Sequence, residues 1–326
     1  MKRQSYIWLT MAVLAVLLTA CGKTTGTETS KPDSPKKEVA QKAILTVKDM
    51  TGRDVAFDTP PKRIVALTNS DLNIIYALGG TVVGRQTQDA SGVHPKKAAK
   101  AQEVGNTHDI NLERIAATNS DVVVASAEQN QKDVPALEGI GTKVILTGAN
   151  SLQDIDKQIS VLGSLIAKRS EAKKLQADLD KKVEAVKKEQ AGKHVKALMV
   201  LGAPGSNYAA LPSSLSGNIL EVAGGENVAK NLRGVENFPQ YAALNVEKII
   251  AADPEIIFLM IHGGDAKDTE KAFRKQLKEN KAWNQTKAVK NDHIVVLPAD
   301  LFGTNPGIRV TEALDLMKNE INKVGK

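Results

Sequence analysis

The chain is poor in the residues that announce most chemistries. It has a single cysteine, Cys21, so no disulfide can form within it. Aromatic residues make up 3% of the composition and the lysines are scattered, a combination that argues against nucleic-acid binding. No GxxxxGKS phosphate loop is present, no GxGxxG follows an apolar run, and no nucleophile stands beside an evident base. An enzyme is therefore not expected. There is also no His-x-x-His pair or glutamate-rich cluster to supply the three or four ligands that a small metal ion takes. Only one apolar run is long, from Tyr6 to Ala20, and it falls short of the about 20 residues of a spanning helix.

That run has the length of a signal-peptide apolar region, and Lys2 and Arg3 precede it. It ends in Leu18-Thr19-Ala20-Cys21, which resembles the lipobox of bacterial lipoproteins, where the cysteine is lipidated and becomes the first mature residue. Residues 1–20 are thus expected to be a signal peptide. Residues 21–43 are expected to be the lipidated Cys21 with a polar tether too poor in apolar residues to build a core. The formal charge of +7 becomes +5 without Lys2 and Arg3, which suits a negative membrane surface or an anionic ligand.

The remaining chain has room for two domains of ordinary size. Short apolar runs, RIVAL (63–67), TVVGR (81–85), DVVVAS (121–126) and KVILT (143–147), alternate with helical patterns at 70–80 and 111–118. This is the mark of βαβ units on a mostly parallel sheet. Residues 151–192 then form one periodic segment, with Leu152, Ile155, Ile159, Leu162, Leu165 and Ile166 at helical spacings. A second βα region follows, with KALMVLG (196–202), EIIFLM (255–260) and HIVVLP (293–298). NLERIAATNSDVVVAS (111–126) aligns without a gap on NVEKIIAADPEIIFLM (245–260), so the two halves share a unit in which an Asn caps a helix that leads to a buried strand. The expected fold is α/β, with two lobes, 44–150 and 193–326. Each has a mostly parallel sheet flanked by helices, and one long rigid helix joins them.

Together, PPKRIVAL (60–67), VGNTHDINLERIAATNSDVVV (104–124), GGENV (224–228), NFPQYAALNVEKIIAADPEIIFL (237–259) and KAVKNDHIVVLP (287–298) resemble the ABC-transporter substrate-binding lipoproteins that carry cobalamin, ferric siderophores or haem. The resemblance covers nearly all of residues 44–326. It implies a ligand held between two lobes, a monomer anchored to the outer face of the cell membrane, and delivery to an ABC permease with its ATPase. It also implies that one surface glutamate on each lobe, here Glu113 and Glu247, pairs with arginines of the permease. At those positions the charge also favours the positive end of a helix dipole.

Of the five histidines, His94 lies in a lysine-rich loop where solvation is expected, and His194 and His293 precede strands. His262 follows a strand, at the carboxyl end where open α/β sheets bind ligands, and His108 precedes a helix on the same side of its own lobe. One imidazole from each lobe matches the two axial positions of haem iron. VLGAPGSNYAAL (200–211), GNILEVAGGENVAK (217–230) and IHGG (261–264) look most like the haem-binding lipoproteins of Gram-positive iron-uptake systems. That likeness places His262 on the axial histidine of the C-terminal lobe. It puts His108 where the group carries a methionine, which is a departure from the pattern. Haem propionates are expected at Thr68, Asn69 and Ser70, which open a helix. Tyr208, in a loop after a strand, and Tyr241 and Arg309, at the rim, complete the expected pocket. Two other readings stay open. One is a ferric siderophore or cobalamin carrier. The other is a metal-dependent surface enzyme using His108, His262 and Asp265.

Overall fold

The computed structural model describes residues 44–87, 94–203, 206–261 and 266–324. Cys21, His262 and Asp265 lie outside these residues, as do the segments expected to be signal peptide and tether.

The N-terminal lobe opens with an antiparallel hairpin of β1 (Leu45–Lys48) and β2 (Asp54–Phe57). Then come β3 (Ile64–Ala66), α1 (Asn69–Ala77), β4 (Gly84–Arg85), β5 (Gln102–Glu103), α2 (Leu112–Ala117), β6 (Val122–Ser126), α3 (Val134–Gly139) and β7 (Lys143–Thr147). The five strands β3 to β7 form one parallel sheet in the order β5-β4-β3-β6-β7. A parallel sheet is covered on both faces, so its strands are apolar throughout rather than alternating. Val122 to Ala125 of β6 are accordingly all fully buried.

The connecting segment was expected to be one helix and is two. α4 (Leu152–Leu165) and α5 (Arg169–Glu189) pack side by side as a hairpin, and the longer α5 spans about 31 Å at 1.5 Å per residue. The break falls at Ala167, in the left-handed region at φ 55°. No glycine or proline stands at the break to mark it. The packing decides it: Gly163 lies so close to Ala172 that an added Cβ would come within 2.4 Å of the alanine methyl. Gln176 Nε2 also donates to Asp156 across the hairpin.

The C-terminal lobe contains β8 (Val195–Ala203), β9 (Ser206–Ala210), α6 (Leu215–Val222), β10 (Gly225–Asn227), β11 (Gly234–Val235), β12 (Phe238–Ala243), α7 (Val246–Ala252) and β13 (Ile256–Ile261). It continues through α8 (Ala266–Glu279), α9 (Lys287–Lys290), β14 (Ile294–Val296), α10 (Ala299–Phe302) and α11 (Val310–Val324). Strands β10, β8, β13 and β14 are parallel, and β9, β12 and β11 extend the sheet in antiparallel fashion.

The repeat read from the sequence is a structural repeat. Asn111 Oδ1 accepts from the Arg114 N–H and Asn245 Oδ1 from the Lys248 N–H, both at 2.9 Å, to cap α2 and α7. Ile115 and Ile249 are both fully buried one turn later. Asp121 then accepts from the Lys62 and Arg63 N–H groups before β3, as Glu255 does from the Lys196 N–H at the start of β8.

One apolar cluster spans both lobes, and each lobe has a second cluster of its own. The spanning cluster joins Ile64, Ala66 and Val124 of the first sheet to Ile155, Ile159 and Leu162 of α4, to Val183 and Val186 of α5, and to Met199, Phe258 and Met317 of the second lobe. Each of the Val, Ile, Leu, Met and Phe side chains contributes about 1.5–3 kcal/mol on burial. The lobes are thus joined by packed interior as well as by chain.

Candidate functional site

The strands of the first sheet run the same way, so the segments that follow them gather along one edge. Thr68–Ser70 follow β3, Gln86 follows β4, Asn106–Asp109 follow β5 and Ala127–Asn130 follow β6. Backbone bonds stitch this edge together: Thr87 N–H donates to Gly105 O at 2.7 Å and Ala127 N–H to Thr147 O at 2.7 Å.

His108 sits on this edge, exposed at the tip of a tight loop. A bridge between Gly105 and Ile110 closes the loop, and Asn106 Oδ1 accepts from the His108 and Asp109 N–H groups at 2.9 and 3.0 Å. Gly105 is required here: at φ 95°, a Cβ would lie 2.3 Å from Asp109 O. Glu113 is exposed in the first turn of α2 just beyond, and Glu247 holds the equivalent place on α7.

Thr68, Asn69 and Ser70 open α1, as the sequence suggested, and their side chains are already engaged. Thr68 Oγ1 accepts from the Asp71 N–H at 3.0 Å and donates to Asp71 Oδ2 at 2.5 Å. Gln158 Nε2 of α4 donates to Ser70 Oγ at 3.1 Å and to Asp71 Oδ1 at 2.7 Å, and Thr147 Oγ1 donates to the same oxygen at 2.7 Å. Asn305 Nδ2, from the second lobe, donates to Gln158 Oε1 at 3.1 Å. Asp71 is fully buried, and burial raises its carboxyl above the usual range against the opposing pull of Thr68, Thr147 and Gln158. The side chains of residues 68–70, expected to meet haem propionates, are thus committed to bonds within the protein.

His94 was expected in solvent and is instead half-buried. Its Nε2 lies 2.7 Å from Asn69 Oδ1, and its Nδ1 lies 3.4 Å from a guanidinium nitrogen of the buried Arg85. The sequence carried no sign of this, because Arg85 and Asn69 are far from His94 in the chain.

On the second lobe, β13 ends at Ile261, paired with Gly202 of β8, and His262 follows directly outside the described residues. Tyr208 was read as a loop residue, but it lies in β9, paired with Leu201 and with Ala243. Strand β9 runs antiparallel along β8, with Ser206 opposite Ala203, so the expected loop is a strand. Tyr241 of β12 pairs with Ala210, so by strand alternation both tyrosines stand on one face. Burial, with a smaller push from the Glu128 carboxylate, raises the Tyr241 hydroxyl to about 12. At neutral pH it is a phenol that can donate a hydrogen bond. The lobes touch beside it, where Gln240 Nε2 donates to Glu128 Oε1 at 3.1 Å.

Arg309, expected at the rim, is held by carboxylates. It donates to Asp300 Oδ2 at 2.9 Å and to both oxygens of Glu312 at 3.1 and 2.9 Å. Its charge is largely neutralised by these partners. Among the described residues, no group of three or more His, Cys, Asp or Glu side chains is placed to hold a metal ion.

Comparison with known proteins agrees with this architecture. The profile of a family described as periplasmic binding protein matches residues 64–301. The high-affinity heme uptake system protein IsdE of Staphylococcus aureus is 28% identical over 254 residues, 77% of this chain and 84% of that protein. Among solved structures, an ABC transporter substrate-binding protein from Listeria monocytogenes superimposes with a TM-score of 0.71 at 29% identity, over 80% of this chain and 98% of that one. S. aureus IsdE complexed with heme does so with a TM-score of 0.70 at 27% identity, over 79% of this chain and 98% of that one.

Proposed function

Since the chain belongs to the periplasmic binding protein family, whose members bind ligands rather than transform them, we propose that it captures haem for an ABC importer. The observation that carries this reading is the placement of His108. An imidazole stands exposed at the tip of a braced loop, on the carboxyl edge of the first sheet. His262 follows the carboxyl end of β13 in the second sheet. Two neutral imidazoles ligate haem iron from its two faces, and low aromatic content is no handicap to that chemistry. The similarity to IsdE, in sequence and in its heme complex, supports the same ligand.

In this reading the propionates lie at the start of α1, near Thr68, Asn69 and Ser70, where helix N–H groups favour anions. Tyr208 and Tyr241 border the porphyrin, with Tyr241 as a hydrogen-bond donor. Arg309, fixed by Asp300 and Glu312, shapes the rim more than it attracts charge. Glu113 and Glu247 meet the permease, which works with its ATPase. Lipidated Cys21 holds a monomer to the outer face of the cell membrane by a polar tether. The shared core between the lobes allows only modest movement, so capture and release proceed with small changes at the cleft.

The test is a hemin titration of the purified chain. The expected result is a Soret band whose position shifts in both His108→Ala and His262→Ala. A spectrum indifferent to hemin, with tryptophan fluorescence quenched by a ferric siderophore or by cobalamin, would move the assignment to those ligands.

A further inference from the structure

The turn that leaves β6 makes two connections. Glu128 reaches the second lobe through Gln240, and Asn130, two residues on, reaches the His108 loop. Asn130 is fully buried and every part of its amide is used. Oδ1 accepts from the Ser126 N–H at 3.2 Å, while Nδ2 donates to Asp133 Oδ2 at 3.0 Å and to Thr107 O at 2.8 Å. The last of these ties the loop tip to the sheet. The loop is also held at its base, where Thr87 N–H donates to Gly105 O, and within itself by Asn106 N–H to Asp109 O, Asp109 N–H to Asn106 O, and the cap from the Asn106 side chain. Those bonds set the loop's base and shape, and the bond from Asn130 reaches its tip. The carbonyl of Thr107 adjoins the His108 N–H in the same peptide unit, so holding one orients the other.

We propose that Asn130 is a positioning residue for the ligand-facing imidazole, aiming His108 through the Thr107 carbonyl. The inference rests on the haem reading and adds to it the element that sets the axial geometry of the first lobe. Partners one step removed from a metal ligand fix its orientation and tune its binding. Here the partner belongs to the same turn that contacts the opposite lobe, so a shift of the lobes is transmitted to the imidazole.

The test compares optical and electron paramagnetic resonance spectra of the full chain with hemin, for wild type, Asn130→Asp, Asp133→Ala and His108→Ala. Asn130→Asp is isosteric and keeps the acceptor for Ser126, but it cannot donate to Thr107. Asp133→Ala leaves that donor in place and removes the acceptor that fixes the amide. It is the milder variant and carries the test if Asn130→Asp does not fold. The expected result is a six-coordinate low-spin complex in wild type. In Asn130→Asp a high-spin fraction resembling that of His108→Ala appears, and hemin binds about 10- to 100-fold more weakly. Asp133→Ala shifts in the same direction by less, and the Asn130→Asp/His108→Ala double variant adds nothing to His108→Ala. If Asn130→Asp and Asp133→Ala keep the wild-type spectrum and affinity while His108→Ala loses the low-spin signal, the proposal is overturned and the haem reading stands. If wild type itself takes up no hemin, the haem reading fails first and the proposal with it.

Discussion

Asn119 and Asp253 hold the same point of the two halves, each in left-handed backbone, with φ of 47° and 52°. Each ends the helix of the repeated unit just before its buried strand. The left-handed region costs an ordinary side chain about 1–2 kcal/mol and costs Asn and Asp less. Asp253 also accepts from the Lys287 N–H at 2.9 Å. Asn119→Ala should therefore lower stability by about 1 kcal/mol, and Asp253→Ala by more because a cap is lost as well. Urea unfolding of both variants checks the order. Equal losses would show that the Lys287 cap contributes nothing.

Asp71 should make stability depend on pH in a direction unusual for a carboxylate. Its pKa is raised from 3.8 by burial, so the folded chain holds the proton over a range where the unfolded chain has released it. The stabilisation linked to that proton is complete below the unfolded value and disappears as pH climbs through the raised one. Asp71→Asn removes the titration while keeping the shape. Wild type should gain on this variant as the pH falls from neutral toward the ordinary carboxylate value of 3.8. Denaturation midpoints at the two ends of that range measure the gain, and a difference that stays constant refutes it.

Gly163 is the close contact of the connecting hairpin. Gly163→Val should cost about 1–3 kcal/mol through overpacking against Ala172. Thermal unfolding reads the loss, and Ala172→Gly in the same chain should restore part of it by making room. No recovery in the double variant would mean that the loss does not arise at the Ala172 contact.

Glu113 and Glu247 are exposed, and reversing their charge should leave the fold within about 0.5 kcal/mol of wild type. Hemin binding by Glu113→Lys/Glu247→Lys should be unchanged, while haem-dependent growth supported by the chain should be lost. Growth at the wild-type rate would remove these residues from the permease contact.

Much of this architecture was legible in local patterns. Buried parallel strands such as Val122–Ser126, Lys143–Thr147 and Ile256–Ile261 are continuous apolar runs, and the capping asparagines mark α2 and α7 within a residue. What escaped depends on partners distant in sequence. The break at Ala167 follows from close packing at Gly163, in a stretch whose periodicity favours one helix. The strand character of Tyr208 comes from pairing on both sides, and its neighbour sequence, PGSN, reads as a turn. Asp71, Gln158 and Asn305 form one polar knot, yet each looks like an ordinary surface residue on its own. Asn130 was equally silent, because the carbonyl it holds lies 23 positions earlier. His108 draws attention because it lies three residues before the repeated unit, whereas nothing local to His94 shows what its ring meets.

The apolar cluster that spans both lobes has a calorimetric corollary. Two halves packed against one shared cluster should melt together, so heating should give a single endotherm. Cargo gripped at the cleft would then raise the melting point of the distant C-terminal helix as much as that of the loops it touches.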